Sequence, residues 1–286
     1  ILAGQYKRKG NKLVKQFGGR RERSLLNKSR FMFKYVIVLS FFLYQSCSPG
    51  TATTEKKAVL SDSTDFYTLY VEYPEDARDK DLAMQSFSSQ LFKDKQEEWK
   101  EGGELYLEEQ KITAAFPDRA PMRYTLHQDF QTFSDDSLKT VSYLFTVYEY
   151  TGGANGNVSC RSFVFSKDKK QIDIQDILDF NNYKDIALSK VLAAKALADT
   201  TLFFKDFVEP GLGIAYLKAD GISLDQEKCQ CDGFFYGANF QNFVLSKDGI
   251  TFYFDKYTIA PGAAGITNVH LTWAELDPYL KKPLPF

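Results

Sequence analysis

The stretch from Asp248 to Leu276, DGITFYFDKYTIAPGAAGITNVHLTWAEL, constrains the fold more than any other part of the chain. Ser246-Lys247-Asp248-Gly249 is a turn signal, because glycine reaches positive φ at little steric cost. Ile250 to Phe254 then mixes β-branched and aromatic residues, the pattern of a half-buried strand. Asp255-Lys256 interrupts it, Tyr257 to Ala260 extends it, and Pro261 ends it, since proline has no amide proton to give a ladder. Gly262-Ala263-Ala264-Gly265 lets backbone pass close to its neighbours. From Ile266 to Thr272 the residues alternate again, with Thr267, Val269 and Leu271 on one face and Ile266, Asn268, His270 and Thr272 on the other. Trp273 to Leu276 reads as one helical turn, stopped near Pro278. The stretch predicts a strand, a crossing, a second strand and a helical cap, against which the upstream chain packs.

The other end of the chain is of a different kind. Residues 1–31 carry ten Lys or Arg and one acid, Glu22. Met32-Phe33-Lys34, the apolar run Tyr35 to Leu43 and the small Ser46 follow in the order of a secretory signal peptide. This run of nine residues, apolar except for Ser40, is far short of the ~20 that a spanning helix needs. Ser46-Cys47 resembles a bacterial lipobox, whose cysteine thiol receives a diacylglycerol, although Tyr44 stands where an aliphatic residue is usual. The expectation is a leader over 1–46, with residues 1–31 read through from a misassigned start, then lipidation at Cys47 and a polar tether over 47–64. No run of acids follows Cys47, so the expected location is the cell envelope, at the outer membrane facing the periplasm.

Without the leader the charge changes. The chain holds 36 basic and 37 acidic side chains, of which residues 1–46 hold 11 and one; the remainder therefore has 25 and 36, a net of −11. So acidic a remainder is a poor nucleic-acid binder, and it suits solvation or a cationic partner. Four cysteines occur. With Cys47 lipidated, Cys229-Gln230-Cys231 is too tight for an easy internal bridge, so the expected disulfide joins Cys160 to Cys229 or Cys231. Three cysteines and two distant histidines, His127 and His270, do not form a zinc motif, and no metal or cofactor is expected.

Between the two ends the chain alternates strands and helices. Phe66 to Tyr73 reads as a strand and Leu82 to Trp99 as a helix stopped by Gly102-Gly103. Leu105 to Ile112 reads as a strand, and Arg123 to Phe133 with Leu138 to Tyr150 as a hairpin around Ser134-Asp135-Asp136-Ser137. Val158 to Phe165 is another strand, and Tyr183 to Ala198 a second helix with Tyr183, Ala187, Val191, Ala194 and Leu197 as its apolar stripe. The expected class is α+β, with two linked subdomains over 65–157 and 158–286, each a mainly antiparallel sheet backed by a helix.

Tyr150-Thr151-Gly152-Gly153-Ala154-Asn155-Gly156-Asn157 resembles the Y-x-G-G-A-H-x-N loop of a pair of linked envelope domains. These domains form the extracellular half of RsiV-type lysozyme-sensing anti-sigma factors, and they also occur beside some peptidoglycan deacetylases and in lipoproteins of unknown role. Phe252-Tyr253-Phe254, Tyr257, Ile259-Ala260-Pro261, Ala263 and Gly265 are similar to the family's F-Y-F-x-x-Y-x-I-A-P-x-A-x-G ending. The resemblance spans about Asp65 to Leu280, with Asn155 where the family often has His and Gly262 where an aromatic is common. It implies a non-catalytic module that binds an envelope partner, either a cationic lysozyme-like protein or peptidoglycan. Gly152, Gly153, Asn155, Asn157 and Tyr257 are the expected binding loop and surface.

An envelope hydrolase or deacetylase-associated enzyme would need a catalytic constellation, and neither G-x-S-x-G, H-E-x-x-H nor a P-loop occurs. Exposed aromatic patches would instead favour a structural outer-membrane lipoprotein without a small ligand.

Overall fold

The computed structural model describes residues 56–75, 82–103, 108, 111, 123–229 and 234–286. The expected leader, the lipobox at Cys47, the tether as far as residue 55 and Cys231 lie outside them. All the described residues belong to one compact unit, 50–286.

The fold is α+β in two linked subdomains. The first is a five-stranded sheet in the order β1 (Lys57–Ser63), β2 (Tyr67–Pro74), β3 (Tyr124–Asp135), β4 (Thr140–Tyr150), β5 (Asn157–Ser166). Neighbours are antiparallel except β2 and β3, which run parallel with helix α1 (Leu82–Glu101) between them in the chain. A parallel pair needs such a crossover, because a tight turn can join only antiparallel strands.

Period-two patterning decides the faces. Tyr67, Leu69 and Val71 of β2 are buried with Leu126 and Val147 beneath α1, whose Trp99 packs into the same cluster. Met84 and Phe87 of α1 meet Phe130, Tyr143, Phe145, Phe163 and Phe165, and the Phe87 and Phe145 rings pack edge to face at 5.7 Å. The residues between these point to the opposite face, where the second subdomain sits. That subdomain is a three-stranded antiparallel sheet of β6 (Phe243–Ser246), β7 (Gly249–Phe254) and β8 (Thr267–Thr272). Helix α2 (Lys184–Leu197) and helix α3 (Lys205–Gly211) share its core with Ile250, Phe252, Val269 and Leu271.

The two sheets meet through Leu144 and Cys160 on one side and Val244 on the other. An edge strand carries unpaired amides, and here those amides are satisfied across the junction. Ser162 Oγ accepts from Phe243 N at 2.8 Å and Ser142 Oγ from Leu245 N at 3.2 Å, which caps β6. In return Asn242 Oδ1 accepts from Ser162 N at 3.2 Å and Asp255 Oδ1 from Cys160 N at 2.7 Å, which caps the outer edge of β5.

Several expectations need correction. β1 occupies Lys57–Ser63, inside the stretch expected as tether. Its own pattern is weak, and it forms because β2 supplies a full antiparallel register from Lys57 with Pro74 to Ser63 with Thr68. β5 belongs to the first sheet, paired with β4 from Thr140 with Ser166 to Glu149 with Asn157, so the expected boundary at 157/158 falls inside that sheet. Glu108 and Lys111, the described residues of the strand expected over Leu105 to Ile112, are helical. The fully buried apolar stripe of α2 is Ile186, Leu188, Leu192, Ala193 and Ala196; of the expected stripe, Val191 and Leu197 pack at its margin, whereas Tyr183 and Ala194 are exposed. The larger leucines take the core, while Lys184 pairs with Asp179 and Lys195 with Glu275 outside it. Tyr257 to Ala260 is a turn rather than an extension of β7, and Tyr257 has left-handed φ at 70°.

The expected disulfide from Cys160 is also corrected. Cys160 is a free thiol buried in mid-strand, whereas Cys229 is in a disulfide whose partner lies outside the described residues. Cys160 packs against Leu144 and Val244 in the junction between the sheets, with its backbone N–H held by Asp255.

Candidate binding cleft

The alternation of β4 places Tyr148 on the same face as Ser142 and Leu144, near the end of the strand, where it is exposed. Tyr148 lies opposite Val158 of β5, and between the two strands runs the glycine loop. Gly152 and Gly153 have φ of 106° and 98°, a region that side chains with a Cβ rarely enter. Tyr150 Oη donates to Gly153 O at 3.0 Å and closes the loop on itself. Gly156 lies against the Tyr148 ring, where an added Cβ would overlap the ring atoms.

The second wall comes from the turn after β7. Asp255-Lys256, read from sequence as an interruption of the strand, is a staple onto β5. Lys256 N donates to Val158 O at 3.1 Å and Lys256 Nζ to Gly156 O at 2.6 Å, beside the Asp255 contact with Cys160 N. Residues 156, 158 and 160 share one edge of the strand, so one dipeptide satisfies three successive outward groups. The Lys256 ammonium also lies 5.0 Å from the centroid of the Tyr257 ring, a cation–π distance. Tyr257 is 58% exposed, and its ring covers Gly262.

Together these segments enclose an open cleft of about 330 Å³. Tyr148, Tyr150, Ala154, Asn155, Gly156 and Val158 line one side, and Lys256, Gly262, Ala263 and Gly265 the other. Lys256 is the one charged side chain among them. The lining offers aromatic faces, an amide, backbone groups and an ammonium, a set suited to holding a polar ligand rather than to proton transfer.

Of the residues expected at a site, Asn155 lines the cleft and Tyr257 packs on two residues that do, Lys256 and Gly262. Gly152, Gly153 and Asn157 shape the loop without lining it. Sequence reasoning missed Lys256, Tyr148 and Val158, which the register and the turn bring in. The signal for Lys256 was its position beside a tyrosine at the break between two apolar runs. His127 stacks on Tyr70 at 5.1 Å and His270 Nδ1 lies 3.0 Å from Thr251 Oγ1, and neither lines the cleft.

Electrostatics at the junction are set by burial. Desolvation pushes the Cys160 thiol far up, with the Asp255 carboxylate adding to the shift, and burial takes the Tyr253 hydroxyl up to about 12. Both groups are neutral at ordinary pH.

Comparisons with known proteins agree with this layout. Residues 60–158 match the family described as Deacetylase PdaC, and residues 214–274 match a protein family of unknown function, DUF3298. A solved DUF3298 family member from Bacteroides fragilis superposes with a TM-score of 0.51 at 18% identity, over 82% of this chain and 95% of that one. A DUF3298 family protein from Pseudomonas aeruginosa gives a TM-score of 0.43 at 14% identity, over 81% of this chain and 96% of that one. Among curated proteins nothing matches. The chain is thus similar to PdaC from β1 to β4 and to DUF3298 proteins across the second sheet, the pairing that the two sequence signatures resemble. The cleft lies where the two matched segments meet.

Proposed function

We propose that the chain is a non-catalytic binding module of the bacterial cell envelope, anchored through lipid at Cys47, and that its cleft holds peptidoglycan. The observation that carries this reading is the convergence of the glycine loop and the Lys256–Gly265 turn on one cleft. Sugar rings present apolar faces and hydroxyl edges. Tyr148 and Tyr150 offer matching faces in the lining, Tyr257 adds an exposed ring at its edge, and Asn155 and the loop backbone offer polar groups. The left-handed Tyr257, held over Gly262 with more than half its surface exposed, is a strained aromatic of the kind that ligand sites retain.

Sedimentation with purified, protein-free sacculi tests the reading. The wild-type chain co-sediments, and Tyr257→Ala with Tyr148→Ala leaves it in the supernatant. Equal retention of both proteins would sink the assignment of the cleft. Anchoring has its own test in intact mass with and without globomycin, a blocker of lipoprotein signal cleavage. A diacylglycerol adduct at Cys47 supports the anchor, and an unmodified Cys47 removes it.

A second reading rests on the net −11 of the chain beyond residue 46. Such a field attracts a cationic lysozyme-like protein over a Debye length of about 8–10 Å. Capture of a cationic muramidase at low salt, unaffected by the cleft substitutions, would favour this partner over peptidoglycan.

A further inference from the structure

We infer that the ligand of the cleft bears a carboxylate and that Lys256 is the counter-charge that selects it. This rests on the binding role proposed above and names the chemistry of the ligand. The lining contains one cation and no acid, in a chain whose residues beyond 46 sum to −11. The nearest acid in sequence, Asp255, is turned away, its Oδ1 spent on the Cys160 amide at the junction of the sheets. An ammonium has three N–H donors. One goes to Gly156 O, and the Tyr257 ring lies beneath the charge. The group is therefore oriented on two sides, with donor capacity left for a third partner in the cleft.

That orientation costs little on binding, because the Gly156 contact and the Tyr257 ring already restrict the lysine rotamers. A carboxylate on an ammonium makes a charge-assisted hydrogen bond, about twice as strong as a neutral one. Muramoyl peptides carry such carboxylates on a glycan, and a neutral amino-sugar oligomer of the same length does not. The structure thus distinguishes two glycans that the aromatic walls alone would bind alike.

The test is calorimetric titration of the full chain with two soluble probes, tetra-N-acetylchitotetraose and a muramoyl-peptide tetrasaccharide. The acidic probe is expected to bind on the order of tenfold more tightly at low salt, with the gap narrowing as salt rises. Lys256→Gln removes the charge from the lining, so the two probes are expected to bind this variant equally, whatever the change in affinity for both. Lys256→Arg keeps the preference. Equal wild-type affinity for the two probes, or a preference that survives Lys256→Gln, would overturn the inference and leave the binding role standing. If neither probe binds, the binding role falls, and the inference with it.

Discussion

Lys256 Nζ donates to the carbonyl of Gly156 at 2.6 Å, joining residues a hundred positions apart in the chain. This contact fixes the distance between the glycine loop and the turn that faces it. The expected consequence of Lys256→Met is a loosened loop rather than an unfolded protein. Amide exchange over 151–156 should accelerate, and global stability should fall by about 1 kcal/mol, the net worth of one such bond. Unchanged exchange in the loop would mean that the bond contributes nothing in solution.

The Tyr257 ring lies where a Cβ on Gly262 would have to go. Gly262→Ala should therefore displace the ring. The tyrosine is more than half exposed and can swing into solvent, so stability should change by less than about 1 kcal/mol. Retention on sacculi should drop all the same. A variant with normal retention would show that Tyr257 does not form part of the binding surface.

Gly249 opens β7 with its Cα against the Leu271 carbonyl, and an added Cβ would overlap that backbone oxygen. Backbone of a paired strand cannot step aside as a side chain can. Gly249→Ala should destabilise the chain by about 2 kcal/mol or more in a denaturant melt. A midpoint equal to wild type would contradict the packing described for β7 and β8.

Acid should unfasten the C-terminal helical turn. Glu275 accepts from Thr272 N and from Lys195, and the Lys195 bond is the main reason its carboxyl titrates at about 2 rather than 4.5. A depressed folded-state pKa means that the stabilisation is fully present above the unfolded value and is lost as pH falls through the folded one. Wild type and Glu275→Gln should thus differ in Tm at pH 6 and converge between pH 4.5 and about 2. A gap that persists at pH 2 would contradict the role of the ion pair.

Cys160 should be inert in the native protein, because burial holds its thiol protonated. Peptide mapping under non-reducing conditions should recover Cys160 as a free thiol released for alkylation only on unfolding, and Cys229 in a disulfide. A peptide linking Cys160 to Cys229 would refute the arrangement.

The parts of the fold that were legible from sequence are those where pattern and environment coincide. β8 alternates because one face is the more buried, β7 and the β3–β4 hairpin read as strands through their β-branched and aromatic residues although β4 is covered on both faces, and α1 is bounded by its glycine stop. β1 was not legible: KAVLSDS is mostly exposed, and its order comes from pairing with β2 rather than from its own residues. The domain boundary failed for a related reason. β5 follows the glycine loop, which reads as a break, yet the loop only turns the chain back onto β4. At the site, sequence located the loop and Tyr257 but not their meeting. That meeting depends on a left-handed turn at Tyr257 and on hydrogen bonds from Asp255 and Lys256 to β5, and a period-based reading sees neither.

The claim that the cleft is the binding site is tested most directly by hydrogen exchange of the full chain with and without soluble muramoyl-peptide fragments. Protection is expected to concentrate at residues 148–158 and 256–265 and to be lost in Tyr257→Ala. Protection elsewhere on the described surface, or none at saturating fragment, would contradict it.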